Sequence, residues 1–354
     1  MGRNLLIRNF LKCASGGVLP FAVSATLLLL PKPECHAQKV YQFVEIPSSA
    51  RAAALGGVPL AIAEPDLGLA AINPAYLPQV ESSGLVADYT NYISDISLGH
   101  VTYNFTSQYV PGAMAVGLQY LNGGSNKRYD SEGNASGEFS SNEFALNLSY
   151  ARKFDSCLAI GATVKPVLSY VGGYSSVGIL VDVAASYTFA GGHTSASLIL
   201  RNAGAQLTAY YDDYGDVPFE IDAALSHQLE HAPFRVSLVL QKLQKFDLTV
   251  GHKNSPEPGS EIEDSGGTIP DFADKLLRHC VIGLELFPQK TFNLRAGFNY
   301  QRRQELKLKE SSGLAGVSLG FGLRLKKFSI EYAHARYAQA GASNHLSLTV
   351  NLPQ

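Results

Sequence analysis

His227 and His231 stand four residues apart, a spacing that on a helix sets two imidazoles on one face as metal ligands. Here the pair straddles a strand pattern and a tight turn, and the His-Glu-x-x-His arrangement is absent, so no metal ion is expected. Ser343, Asn344 and His345 hold the residue types of a barrel hydrolase, but neighbours on a strand point to opposite faces. No Ser-x-x-Lys occurs, which argues against a penicillin-binding type of nucleophile. No glycine-rich loop leads into a helix to cradle phosphate. The expectation is a protein without catalytic residues, metal or cofactor.

Six charges interrupt otherwise apolar, strand-like segments: Glu220, Asp222, Glu285, Arg295, Arg324 and Glu331. Facing lipid, a basic residue costs about 2–4 kcal/mol at the bilayer midplane, so all six are expected to face a lumen. There they pair with one another or with an inner segment through Arg51, or they line a transport path.

The elements that must position these charges show a period of two. Leu346, Leu348, Val350 and Leu352 alternate with His345, Ser347, Thr349 and Asn351, which gives one apolar and one wettable strand face. Val177, Ile179, Val181, Val183, Ala185 and Tyr187 repeat the pattern, with Asp182 on the inward face. Fourteen such segments are legible: 84–92, 96–105, 112–121, 142–153, 157–170, 176–189, 193–201, 217–229, 233–242, 277–287, 291–301, 313–325, 328–336 and 344–352. Their connections are alternately short (106–111, 154–156, 190–192, 230–232, 288–290, 326–327) and mostly long, as in a transmembrane barrel with periplasmic turns and surface loops. The fold class expected is therefore all-β, an antiparallel outer-membrane β-barrel of about 14 strands over residues 84–354. Pro166, inside a strand, predicts a bulge or kink, and Gly316, Gly320 and Gly322 would leave room on an inner face.

The first 37 residues read as a signal peptide for Sec-dependent export. Arg3, Arg8 and Lys12 precede the apolar run 18–30, and small residues follow up to Ala37. Pro20 and Pro31 leave this run short of the ~20 residues of a membrane helix. Of 28 basic and 30 acidic residues, four basic and one acidic lie in 1–37, which leaves 24 against 29 and a net charge of −5. Nothing in that balance points to nucleic acid. Charged residues make up only 16% of the chain, against about 25% in soluble domains, yet no second apolar run spans a membrane. For an exported chain of this composition the closed barrel is the remaining route into the outer membrane. Cys157 and Cys280, the two cysteines left after export, are expected to be packing residues.

Residues 38–83 differ from the ladder. Small residues over 48–57 and the turn signals Glu64-Pro65-Asp66 and Asn73-Pro74-Ala75 predict a hatch lying in the lumen. Two surface loops also stand out as candidates for binding a partner. Loop 243–276 carries the acidic residues Glu261, Glu263 and Asp264, and loop 302–312 carries the basic residues Arg302, Arg303, Lys307 and Lys309, suited to lipopolysaccharide phosphates or an acidic face.

Asn73-Pro74-Ala75 in an N-terminal plug resembles the FadL-like outer-membrane barrel family. Longer runs, among them 46–51, 232–235, 243–248, 272–279, 299–306 and 340–345, are similar to the PorQ-like barrels of the type IX secretion system. This resemblance implies a non-catalytic member of an attachment complex. Its implied partners are a PorZ-like surface protein, a PorU-like sortase and a PorV-like barrel, which couple cargo to lipopolysaccharide. The alternative is a FadL-like transporter of hydrophobic small molecules.

Overall fold

The structure, a computed structural model, describes residues 39–58, 61–80, 83–93, 95–107, 109–129, 132–211, 214–249, 271–306, 315–336 and 341–352. The signal peptide expected over 1–37 lies outside them, as do Glu261, Glu263, Asp264, Lys307 and Lys309.

Fourteen strands form one closed antiparallel barrel: β1 (Gly84–Asn91), β2 (Ser97–Thr106), β3 (Ala113–Tyr129), β4 (Ala135–Lys153), β5 (Leu158–Val171), β6 (Tyr174–Thr188), β7 (Thr194–Thr208), β8 (Glu220–Gln228), β9 (Phe234–Leu240), β10 (Cys280–Leu286), β11 (Phe292–Asn299), β12 (Val317–Arg324), β13 (Phe328–Ala335) and β14 (Ser343–Asn351). Each pairs with its neighbour in sequence, and β1 closes on β14 from Gly84↔Asn351 to Asn91↔Asn344. Closure leaves no unpaired edge, the condition for a strand to cross lipid.

The side-chain period decides which way the wall faces. In β2, Val101 and Tyr103 point outward while His100, Thr102 and Asn104 are buried. In β14, Leu346 and Leu348 are outside while His345 and Ser347 are inside. Exposed aromatics gather at both ends of this apolar band. Phe154, Tyr187, Phe189, Phe234 and Phe328 lie near the short turns, and Tyr89, Tyr170, Tyr174 and Tyr211 near the loops. Two such girdles mark the interfaces of a transmembrane barrel. No helix among the described residues is long and apolar enough to cross a membrane.

Three details differ from the expectations. The β4–β5 ladder lacks pairs opposite Lys165 and Pro166 but keeps its register on both sides, so Pro166 makes no bulge. Register shifts occur instead two ladders on, in β6–β7, at Val177/Gly178 and between Val181 and Val183; at the second, Asn202 takes a left-handed backbone and its N–H donates to Asp182 Oδ1 at 2.7 Å. Of the residues expected as a loop, 122–129 instead continue β3 and 135–141 continue β4, paired and largely exposed past a register shift at Asn122/Ser125. Two helices inside the barrel, α1 (Ala50–Ala54) and α2 (Leu67–Ile72), precede two in the loops, α3 (Asp271–Arg278) and α4 (Tyr300–Glu305), which stand in place of the outer ends expected for β10 and β11.

Residues 39–58 and 61–80 fill the lumen. α1 is nearly all alanine, so it lies close to the wall: a Cβ on Gly320 would stand 2.6 Å from the Ala54 Cβ, and one on Gly297 2.4 Å from the Gly56 nitrogen. α2 is capped by Asp66, whose Oδ1 accepts from the Leu69 N–H. Asn73 then caps a 3-10 turn, Pro74–Gln79, by accepting from the Ala75 N–H at 3.2 Å. The turn presses on Gly161, where a Cβ would meet the Pro74 carbonyl carbon at 2.5 Å. Leu55, Val58 and Ile62 pack on Val239 and Val281, while Phe43 and Val44 pack on Leu121 and Leu180. Gly316 lies outside β12, and a Cβ on Gly322 would meet Asn293 and Arg295 rather than the hatch.

Leu148, in the outward band of β4, tests the orientation of the wall. Leu148→Arg is expected to lower folding stability in lipid vesicles by about 2–4 kcal/mol, read by urea titration.

Candidate functional site

Three layers follow one another along the lumen. At the loop end a vestibule of about 430 Å³ is bounded by hatch residues Glu45, Ile46 and Pro47 and by wall residues including Arg201, Glu220 and Asp222. At the turn end a second cavity of about 350 Å³ is lined by Glu64, Asp66, Arg324 and Glu331. Between them stands the hatch and the ion network that ties it to the wall.

Arg51 is the centre of that network and is fully buried. Its Nε and Nη2 donate to the two oxygens of Glu285 at 2.8 and 2.9 Å, Nη1 donates to Asp66 at 2.7 Å, and Nη2 also reaches Glu64 at 2.9 Å. Glu285 is shared with Arg235 at 2.8 Å and Arg295 at 3.1 Å, and Arg295 continues to Glu331 at 2.8 Å. Arg235 donates to Glu64 as well, with Arg324 3.6 Å away. Four guanidinium groups therefore meet four carboxylates. A planar, always charged fork suits this arrangement where lysine would not. Burial alone would raise the pKa of Glu64, but Arg51 and Arg235 outweigh it and hold this carboxyl below its ordinary value. Asp66 behaves likewise, with burial overcome by Arg51 and Arg324.

Further bonds fix the hatch around its circumference. The Ala50 N–H donates to Ser347 Oγ at 2.8 Å, and Ser318 Oγ donates to the Ala54 carbonyl at 2.9 Å. Ser195 and Ser226 hydroxyls both donate to the Ala61 carbonyl. The Tyr41 hydroxyl meets Ser176 Oγ at 2.5 Å, with its ring seated over Gly178.

A second charged group lies in the vestibule. Arg201 is 3.1 Å from Glu220 and 3.7 Å from Asp222, and Lys242 is 3.4 Å from Glu220 and 3.9 Å from Glu45. Burial first, and the neighbouring Glu220 second, push Glu45 up to about 7 against the opposing Lys242 and Lys39.

Of the candidate residues, Arg51 enters the network, and Asn73, Pro74 and Ala75 form the capped turn against Gly161. Arg302 turns inward, donating Nη1 to the Gly56 carbonyl at 2.8 Å, so it braces the hatch, and Arg303 follows it on α4. The six strand charges are brought together in two groups: Glu285, Arg295, Arg324 and Glu331 around Arg51, Glu220 and Asp222 around Arg201. Missed were Glu64 and Asp66, read only as turn residues, and Arg235. An acidic pair flanking proline inside a lumen was the available signal.

Ser343 and His345 are two residues apart, not adjacent, and so share the inner face. Ser343 Oγ lies 3.0 Å from His345 Nε2, and Thr90 Oγ1 lies 2.9 Å from Nδ1. Both are completely buried, and the ring's other nitrogen meets a hydroxyl where a triad has a carboxylate. His227 bonds Thr194 at 2.8 Å, and no cluster of three or more metal-ligating side chains occurs among the described residues. Cys157 and Cys280 are free.

No family model matches the chain, and no curated protein does. Among solved structures it is similar to the CymD monoaromatic hydrocarbon channel, with 11% identity and a TM-score of 0.52, over 88% of this chain and 99% of that one. It is also similar to the Pseudomonas putida toluene transporter TodX, with 13% identity and a TM-score of 0.50, over 85% and 95%. At this identity the likeness concerns fold: the chain is a closed 14-stranded β-barrel of FadL-like architecture.

Arg51→Ala strands Glu64, Asp66 and Glu285 without their common partner. It should loosen the hatch by about 3–5 kcal/mol, seen as protease cleavage within 39–80 while the wall stays folded. Glu45 supplies a pH test. Because its pKa is raised from 4.5 to about 7, its contribution is present below about pH 4.5 and lost as pH rises through about 7. Glu45→Gln, which keeps the uncharged form, should gain in melting temperature relative to the parent between pH 5 and pH 8.

Proposed function

We propose that this protein is an outer-membrane channel, exported with the help of residues 1–37, that admits small, partly apolar molecules into a lumen gated by its hatch. One observation carries the reading. A closed barrel holds a vestibule large enough for one small molecule, and this ends on a hatch with a second cavity beyond it. The two similar structures described above are a channel and a transporter of monoaromatic compounds, which supports passage rather than catalysis. The ion network is then the part that must rearrange for a molecule to pass.

A second reading is a docking barrel of a type IX attachment complex, holding a PorZ-like surface protein. The β3–β4 hairpin supports it, because Lys127, Arg128 and Tyr129 stand exposed beyond the wall on paired strands. Arg302 is committed to the hatch and makes a poor contact for such a partner.

Deletion of the gene separates the two. The channel reading expects slower uptake of a labelled small aromatic compound, with surface attachment of secreted proteins intact. Unchanged uptake together with loss of attachment would overturn it in favour of docking.

A further inference from the structure

The wall is not equally tall all the way round. β4 runs for 19 residues and β5 for 14, whereas β9 and β10 have 7 each. Strands of that length, at about 3.3 Å per residue and a tilt of about 40°, rise only about 18 Å, and the apolar band of such a barrel stands about 25 Å tall. About 7 Å of wall at the level of lipid is therefore missing from β9 and β10. The aromatic girdle at the short turns includes Phe234, the first residue of β9, so the shortfall lies at the loop end.

What stands there is α3. Phe272, Ala273, Leu276 and Leu277 fall within an arc of about 140° at 3.6 residues per turn, and Asp274, Lys275 and Arg278 fill the other side. The charged side is engaged by the protein: Asp274 accepts from the Tyr300 hydroxyl at 2.8 Å and from Arg278 Nε at 2.7 Å, and Lys275 lies 3.2 Å from Asp247. The apolar side is left outside. Phe272 is 63% exposed and Leu276 45%, more open than the outward-facing Leu238 of β9 at 40%.

This face continues the apolar band. β9 ends at Leu240, paired with Cys280 of β10, and exposed apolar residues follow beyond both strands: Leu243 on one side, Leu276 and Leu277 on the other. The Phe246 and Phe272 rings meet at 6.0 Å, and the two ring nitrogens of buried His279 face the carbonyls of Gln241 at 2.7 Å and Phe246 at 3.2 Å. The helix is thereby fixed to the rim.

We propose that α3, together with Leu243 and Phe246, lies in the outer leaflet of the membrane, its apolar arc among acyl chains at the headgroup boundary, and completes a wall that β9 and β10 leave too short. The occupant is lipid, because the face is continuous with lipid-facing strands, and a helix about 10 Å across covers the missing height. A helix also keeps its backbone bonds within itself, which an extended loop at that depth does not. The inference concerns the seat of the barrel in the membrane and stands whether or not the barrel conducts.

The chain contains no tryptophan, so single-tryptophan variants report from one place each. Phe272→Trp and Leu276→Trp are compared with Ile282→Trp on β10 and Tyr129→Trp on the β3–β4 hairpin, one barrel to a lipid nanodisc, using acyl-brominated lipid and aqueous iodide as quenchers. The two helix variants should lose about half or more of their emission to bromine, as Ile282→Trp does, and more to bromine near the headgroup than to bromine at the chain end. Tyr129→Trp should answer to iodide alone. Quenching of the helix variants by iodide without quenching by bromine puts the face in water and overturns the proposal. Protection from both quenchers also overturns it, since protein of the same chain then covers the face.

Discussion

Everything inside this barrel depends on one buried guanidinium. Arg51 is carried into the lumen on a helix of alanines and meets Glu285 from the wall and Glu64 and Asp66 from the hatch itself. An ion removed from water costs several kcal/mol unless its partners and hydrogen bonds are complete. Arg235 and Arg295 complete them for Glu285, so the network is whole only when hatch and wall are together. This makes it a device for position rather than for raw stability. It fixes where the hatch lies, and the close packing of Ala54 on Gly320 and of Pro74 on Gly161 then has one register.

The lumen divides its charges by function. Near the short turns the network is balanced and tied to the hatch, while near the loops the acids are in excess and border open space. The same hatch segment serves both, with Arg51 at one end and Glu45 at the other. A molecule bound near Glu45 therefore touches the element that the Arg51 network holds in place.

Much of the wall was legible in the sequence because a transmembrane strand repeats every second residue and one face must be apolar. Asp182 and His345 were inward by that rule alone, and both are buried inside the barrel. The rule lapses where no face meets lipid. Residues 122–129 and 135–141 pair as strands although they are mostly polar on both sides, and α3 ends and α4 begins inside segments where alternation still looked acceptable. Periodicity also gives a face but not a partner. Arg51 and Glu285 are 234 residues apart, and only closure of the barrel brings them together. Pro166 misled in another way, since a missing donor interrupts a ladder without shifting it.

Hydrogen exchange on the native barrel in lipid nanodiscs tests the locked hatch most directly. The amides of Ala53 and Leu55 bond within α1, against Ser49 and Arg51, and are sealed from solvent by the wall. They should exchange as slowly as amides of β10 and β11. Exchange of those hatch amides at the rate of exposed loops, with the wall still protected, would contradict the account.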